Sequence, residues 1–343
     1  MNRVARLDVG DRAVLFERTA SAMGLSPALA EKDFWVCWTL KHLFAMPELK
    51  DGVVFKGGTT LSKVYGVIAR FSEDIDLTLD RELFGISSNL DPAEASGKKE
   101  RERRLKGMKD ACGDYVRDTL RQTLTAEFAT VLGVPGEPWS LIPDEADRDG
   151  QTLLLRYPAA IETDSSSYVP QQVKLEFGSR GERWPTERRA IRPYAAEQFP
   201  DVFREPSTEV QALAAPRTFW EKATILHMEA HRSQDKPMPP RSSRHYYDLA
   251  MLAGTSIRRQ ALADLALLEH VVQHKKDFFR CGWANYEEAK PGTLRLLPAD
   301  FRLKELRNDY DRMRIMMFDE PPAFQTILDT LAVLEQEINH DRN

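Results

Sequence analysis

The 343-residue chain is 42% hydrophobic and 29% charged, which supplies a core for one large or two moderate globular domains and excludes a disordered tail. Its formal net charge of −5 excludes a globally basic nucleic-acid binder, so any such binding has to rest on local basic surface. No run of about 18 apolar residues occurs and MNRVARLDVG has no apolar segment, so no membrane span and a cytoplasmic protein are expected. Cys37, Cys112 and Cys281 lie outside any C-x-x-C pattern and fit a reducing compartment.

Residues 10 to 48 have helical periodicity, and SPALAEKDFWVCWTLKHLFAM opens on Ser26 and Pro27, a cap followed by proline at the first helical position. DGVVFKGG predicts a turn and a short strand, TTLSKVYGVI a helix, and EDIDLTLD a strand. From 91 to 131 the chain is charged and helical until GVPGEP breaks it. TLLLRYP (152 to 158) and QQVKLEFG (171 to 178) read as strands separated by a polar ETDSSS turn. After the Pro- and Gly-punctuated region near 193 to 216, helices are expected at PRTFWEKATILHMEAH, SSRHYYDLAMLAG, 258 to 280 and 321 to 338. A boundary near 205 is expected, dividing the chain into 1–205 and 206–343.

Residues 54 to 77, VFKGGTTLSKVYGVIARFSEDIDL, hold two features that core packing does not require. Side chains alternate along a strand, so Asp74 and Asp76 project from one side, about 6 to 7 Å apart. Two such carboxylates repel unless a cation lies beside them, and oxygen-only ligands favour magnesium or manganese. Gly57 and Gly58, between strand and helix, let backbone approach a ligand closely, and a phosphate is the natural guest. Thr59 adds a hydroxyl, and Lys63 or Arg70 offers charge to a polyphosphate. The G-x-x-x-x-G-K-[ST] spacing of a P-loop is absent. Either piece alone is often a common turn or a solvated strand edge; the order strand, G-G-T, helix, D-x-D strand is more specific.

That order resembles the nucleotidyltransferase superfamily with the DNA polymerase β-like fold. GGTTLSKVYGVIARFSEDIDL is more narrowly similar to the AbiEii/AbiGii-type toxin nucleotidyltransferases, in Gly57, Gly58, Thr59, Leu61, Lys63, Arg70, Ser72, Asp74 and Asp76. The resemblance implies an α+β fold: a polymerase β-like nucleotidyltransferase domain with a short mixed sheet, then a mainly α-helical C-terminal domain. It implies a third acid, which QQVKLEFG offers as Glu176, with Lys174 two residues earlier. It also implies a lysine and an aspartate in the helical half, matched by Lys222 and Asp248. His245 stands where the family often has an acid. Asp74, Asp76 and Glu176 are then the metal ligands, with Lys222 and Asp248 counted among the catalytic residues. Gly57, Gly58, Thr59, Lys63, Arg70, Ser72 and Lys174 are the nucleotide-binding set.

The implied reaction moves NMP from an NTP, with Mg2+ or Mn2+, to an RNA acceptor at the tRNA 3′ end. A toxin of toxin–antitoxin or phage-defence systems with a cognate antitoxin is the implied setting. Basic segments 97 to 110 and 179 to 192 are the expected RNA contacts. Two alternatives stay open: nucleotidylation of a protein hydroxyl, and a non-catalytic nucleotide-binding module. His227 with His231, and His270 with His274, sit at i, i+4, but the H-E-x-x-H pattern is absent. Trp35, Trp38 and Trp220 lie in apolar helical stripes and are expected to pack.

Overall fold

The computed structural model describes residues 1–49, 51–87, 90–136, 138–163, 170–318 and 320–340. It divides into two compact units: Met1–Val64 with Phe71–Leu213, and Tyr65–Arg70 with Ala214–Asn343. The division therefore falls after Leu213, and a short segment following the double glycine goes with the second unit.

The first unit opens with helices α1 (Asn2–Ala5), α2 (Val9–Met23) and α3 (Pro27–Ala45). Asp8 caps α2 through the amide of Asp11, Gly24 ends it at φ 67°, and Ser26 caps α3 through the amide of Leu29. Strand β1 (Val53–Lys56) leads into α4 (Gly58–Lys63) and β2 (Asp74–Leu79). Helix α5 (Lys98–Asp114) runs on through a π-helical stretch, Tyr115–Leu120, into α6 (Arg121–Leu132). There follow β3 (Ser140–Pro143), β4 (Thr152–Arg156), β5 (Gln172–Gly178), β6 (Thr186–Ile191), α7 (Tyr194–Gln198) and β7 (Thr208–Leu213).

The strands form one mixed sheet in the order β3-β4-β5-β2-β1-β7-β6, parallel at β2/β5 and β1/β7 and antiparallel elsewhere. Alternation gives the sheet two unlike faces. Phe55, Ile75, Leu77, Leu175 and Phe177 are all buried in the core with Phe34, Trp35 and Trp38 of α3. Trp35 stacks on Tyr157 with ring centroids 5.5 Å apart. Burying each such large side chain contributes about 1.5–3 kcal/mol. The opposite face carries Lys56, Asp74, Asp76, Lys174 and Glu176.

The second unit is helical: α8 (Ala215–Ala230), α9 (Ser243–Ala253), α10 (Ser256–Ala263), α11 (Leu265–Phe278), α12 (Leu303–Met313) and α13 (Phe324–His340). Among the described residues no helix is long and apolar enough to cross a membrane.

Several elements differ from the sequence expectation. The helix expected over 59 to 68 stops at Lys63, and a left-handed Gly66 (φ 62°) follows. The expected helix over 258 to 280 is broken at Asp264, whose carboxylate caps α11 by accepting from the amide of Leu267 at 3.1 Å. Strands β3, β6 and β7 and helix α12 are additional. The ETDSSS turn lies largely outside the described residues.

Candidate active site

The register between β2 and β5 assembles the site. Asp74 is opposite Lys174 and Asp76 is opposite Glu176. Directly paired residues of adjacent strands share a face, so the three acids stand on one side of the sheet with Lys174 among them. On the other flank of β2, Lys56 of β1 is opposite Asp76 and joins the same face. Lys56 was not singled out from sequence. Its signal is a charged residue closing the otherwise apolar VVFK strand, immediately before the double glycine.

Gly57 turns the chain out of β1 at φ 84°, ψ −161°, and caps α4. A Cβ there would sit 2.0 Å from Asp76 Oδ2, so the carboxylate rests against bare glycine backbone. Glycine is required twice over, by conformation and by space. With six residues, α4 is too short to act through a helix dipole, which leaves close approach to the turn itself.

Thr59 is fully buried, and its hydroxyl donates to the Asp74 carbonyl (2.5 Å) and is hydrogen-bonded to the Ser72 hydroxyl (2.9 Å). It ties the glycine turn to the aspartate strand instead of facing outward. The ammonium of Lys63 also points inward: it pairs with Asp33 at 2.8 Å and lies 3.6 Å above the Tyr194 ring. Tyr194 N–H donates to the other Asp33 oxygen at 2.6 Å. Burial opposes the charge on Lys63, but Asp33 outweighs it and holds the ammonium's pKa above the ordinary lysine value. Before β2, Glu73 pairs with Lys32 at 2.6 Å, which fixes the entry of that strand.

Lys174 pairs with Glu176 at 2.5 Å and lies 3.9 Å from Asp144. Burial works against its charge, but Glu176, Asp74 and Asp144 outweigh it and raise its pKa. A cleft of about 340 Å³ adjoins this pair, lined in part by Asp144, Asp147, Gln151 and Thr152. Among the described residues, no group of three or more His, Cys, Asp or Glu side chains is gathered closely enough to hold a metal as arranged. The donor chemistry still suits one: three carboxylates on one face are the ligands a hard divalent cation takes, with an ammonium now interleaved among them.

The second unit holds Arg70, Lys222 and Asp248. Arg70 grips Asp248 with two bonds, Nε to Oδ1 at 2.7 Å and Nη2 to Oδ2 at 2.8 Å. Lys222 reaches the same carboxylate at 2.8 Å, and its Nζ lies 3.3 Å from His245 Nδ1. Burial alone would raise the pKa of Asp248, but the two cations outweigh it and hold the group ionised, well below the carboxylate range. Burial lowers the pKa of Lys222 and, far more, that of His245, which stays neutral. A neutral imidazole thus accepts from Lys222 where the resemblance led one to expect an acid. Arg70, like Lys63, is bound up in a buried pair and does not present its charge outward.

Many cations of the two basic segments are engaged in ion pairs, although each segment keeps a net positive charge. In α5, Arg103 and Arg104 share Glu100, and Lys106 and Lys109 pair with Asp110 and Asp149. In the later segment Arg183 pairs with Asp80, Arg188 with Asp51 and Arg189 with Glu187.

The chain matches the family model described as nucleotidyl transferase AbiEii toxin, type IV toxin–antitoxin system, over residues 38–330. No curated protein matches. Among solved structures it is similar to MenT4, a nucleotidyltransferase toxin of Mycobacterium tuberculosis H37Rv: 18% identity, 94% of this chain and 98% of that chain covered, TM-score 0.42. It is also similar to JHP933 of Helicobacter pylori, at 17% identity, with 91% of each chain covered and a TM-score of 0.38.

Proposed function

The chain belongs to the AbiEii nucleotidyltransferase toxin family, the toxin half of a type IV toxin–antitoxin system, and from that premise we propose that it moves NMP from an NTP onto an RNA 3′ end, tRNA in particular. A cognate antitoxin is implied by the family. The observation that carries the proposal is the β2/β5 register, which sets Asp74, Asp76 and Glu176 on one face beside a glycine that touches Asp76.

In the proposed reaction the acceptor hydroxyl gives its proton to solvent and its oxygen bonds to the α-phosphorus, the bond from that phosphorus to the bridging oxygen breaks, and pyrophosphate leaves with the electron pair. A divalent cation on Asp74, Asp76 and Glu176 would supply charge neutralisation at the phosphates and lower the pKa of the acceptor hydroxyl. The turn at Gly57 and Gly58 admits phosphate oxygens close to backbone, and Thr59 keeps that turn in fixed relation to Asp74. Holding donor and acceptor in line provides much of the rate. Lys174 balances the charge of Glu176, and a cation held by the acids would leave its ammonium available to phosphate oxygens.

Purified protein incubated with total RNA, magnesium and each labelled NTP tests this. Label in a small RNA, absent with Asp74→Ala, is the expected result. Label in a protein band would transfer the reading to protein nucleotidylation, and no label in any fraction would overturn it.

A further inference from the structure

Lys63 and Arg70, the cations that the sequence offers to a polyphosphate, are both committed to buried carboxylates. Lys56 is not. It is partly buried on the face of the three acids, and among the described residues its ammonium makes no ion pair and no hydrogen bond. Its side chain leans across β2 toward β5: a Cβ on Gly178 would lie 3.7 Å from Lys56 Nζ. Gly178 pairs with Thr78, one step along the same face from Asp76 and Glu176. Lys174 pairs with Asp74 on the other side of those acids. Two ammonium groups therefore bracket the carboxylates along the strand direction, one held by Glu176 and one uncommitted.

Half-exposed and, among the described residues, bonded to no carboxylate, the Lys56 ammonium is available to an anion that enters this face. The acids nearby are the ones expected to take a cation, which leaves the terminal phosphates of the nucleotide as the anion within its reach. Resting on the nucleotidyl-transfer reading of this site, we propose that Lys56 is the residue that distinguishes a nucleoside triphosphate from its monophosphate. Its ammonium donates to oxygens of the β and γ phosphates while the α-phosphate stays by Gly57 and the acids.

Titration calorimetry of the full chain with magnesium and ATP, GTP, CTP or UTP, each against its monophosphate, reads this directly. Wild type is expected to prefer at least one triphosphate. Lys56→Gln should weaken that triphosphate about tenfold to a hundredfold, the range of one charged hydrogen bond, and leave the monophosphate unchanged. Lys56→Arg should retain most of the preference. An unchanged ratio in a folded Lys56→Gln variant overturns the assignment and leaves nucleotidyl transfer standing; wild type that binds no triphosphate overturns both. Acylation of lysines in wild-type protein, read by mass spectrometry, needs no variant. Triphosphate with magnesium should shield Lys56 and monophosphate should not, and equal labelling rejects the idea.

Discussion

Replacing Gly57 with alanine tests the contact on which the site geometry turns. The new Cβ would be 2.0 Å from Asp76 Oδ2, and ordinary contact begins at 3.4 Å, so the carboxylate must retreat by about 1.4 Å. The backbone at φ 84°, ψ −161° is also one that an L side chain resists, at about 1–3 kcal/mol. Gly85 separates the two effects. It too has a positive φ, 77°, but a Cβ there meets nothing within 4 Å. Gly85→Ala should therefore lose about 1–2 kcal/mol to strain alone and keep full activity. Gly57→Ala should lose about 2–4 kcal/mol in denaturant unfolding and at least about a hundredfold in nucleotide incorporation, because a displacement near 1 Å at a reacting centre costs that much. A folded Gly57→Ala protein with wild-type incorporation would show that Asp76 does not need its place against the glycine, and the proposed site would have to be redrawn.

Further outcomes follow from the same structure. Asp248→Asn should cost about 3–5 kcal/mol in denaturant unfolding, since it leaves Arg70 and Lys222 as buried neighbouring cations; a loss below about 1 kcal/mol would contradict the pairing. Incorporation should disappear with a chelator and return with magnesium or manganese, and activity that survives chelation refutes the metal reading. Buried His227 accepts at Nδ1 from Arg295 N–H (3.1 Å) and so donates from Nε2 to the Asn285 carbonyl (3.0 Å), and burial pushes its pKa down to about 4. The unfolded histidine binds its proton near pH 6.5, so the unfolded state holds more protons between about 6.5 and 4. Stability should decline as pH falls through that window, by about 2 kcal/mol once partial screening is allowed for, and His227→Gln should flatten the decline. Equal slopes in the two proteins would reject this.

Much of the fold and the site was legible because local chemistry and tertiary structure agree there. The alternation of EDIDLTLD and QQVKLEFG put Asp74, Asp76, Lys174 and Glu176 on consistent faces before any pairing was known, and Ser26 with Pro27 marked the start of α3. Edge strand β6, TERRAI, was not legible, because an edge exposed on both faces has no apolar alternation to show. Helix α12 was legible though not among the expected elements: Leu306, Tyr310 and Met313 fall four and three apart, an apolar stripe on an otherwise charged helix. Spacing alone also could not tell which cations face outward. Lys63 and Arg70 belong to the motif and Lys56 does not, yet the motif cations are the ones turned inward, by Asp33 and Asp248, partners distant in sequence.

The cost of moving each lysine decides which can serve a nucleotide. Withdrawing Lys63 would leave Asp33, 1% exposed, without its cation, a penalty of about 3–5 kcal/mol. One charged contact to a phosphate returns only about 1.5–3 kcal/mol, so Lys63 stays where it is. Lys174 is different, because it and Glu176 are 35% and 41% exposed, and such a pair is worth about 1 kcal/mol or less. A divalent cation that takes Glu176 can release Lys174 at small cost, and the freed ammonium then stands opposite Asp74 on the face that the phosphates would occupy. Among the described residues Lys56 has no partner to abandon. In the proposed reaction the substrate's charge would therefore be met by the two lysines that are cheap to move, while the buried pairs keep the turn and the strands in place.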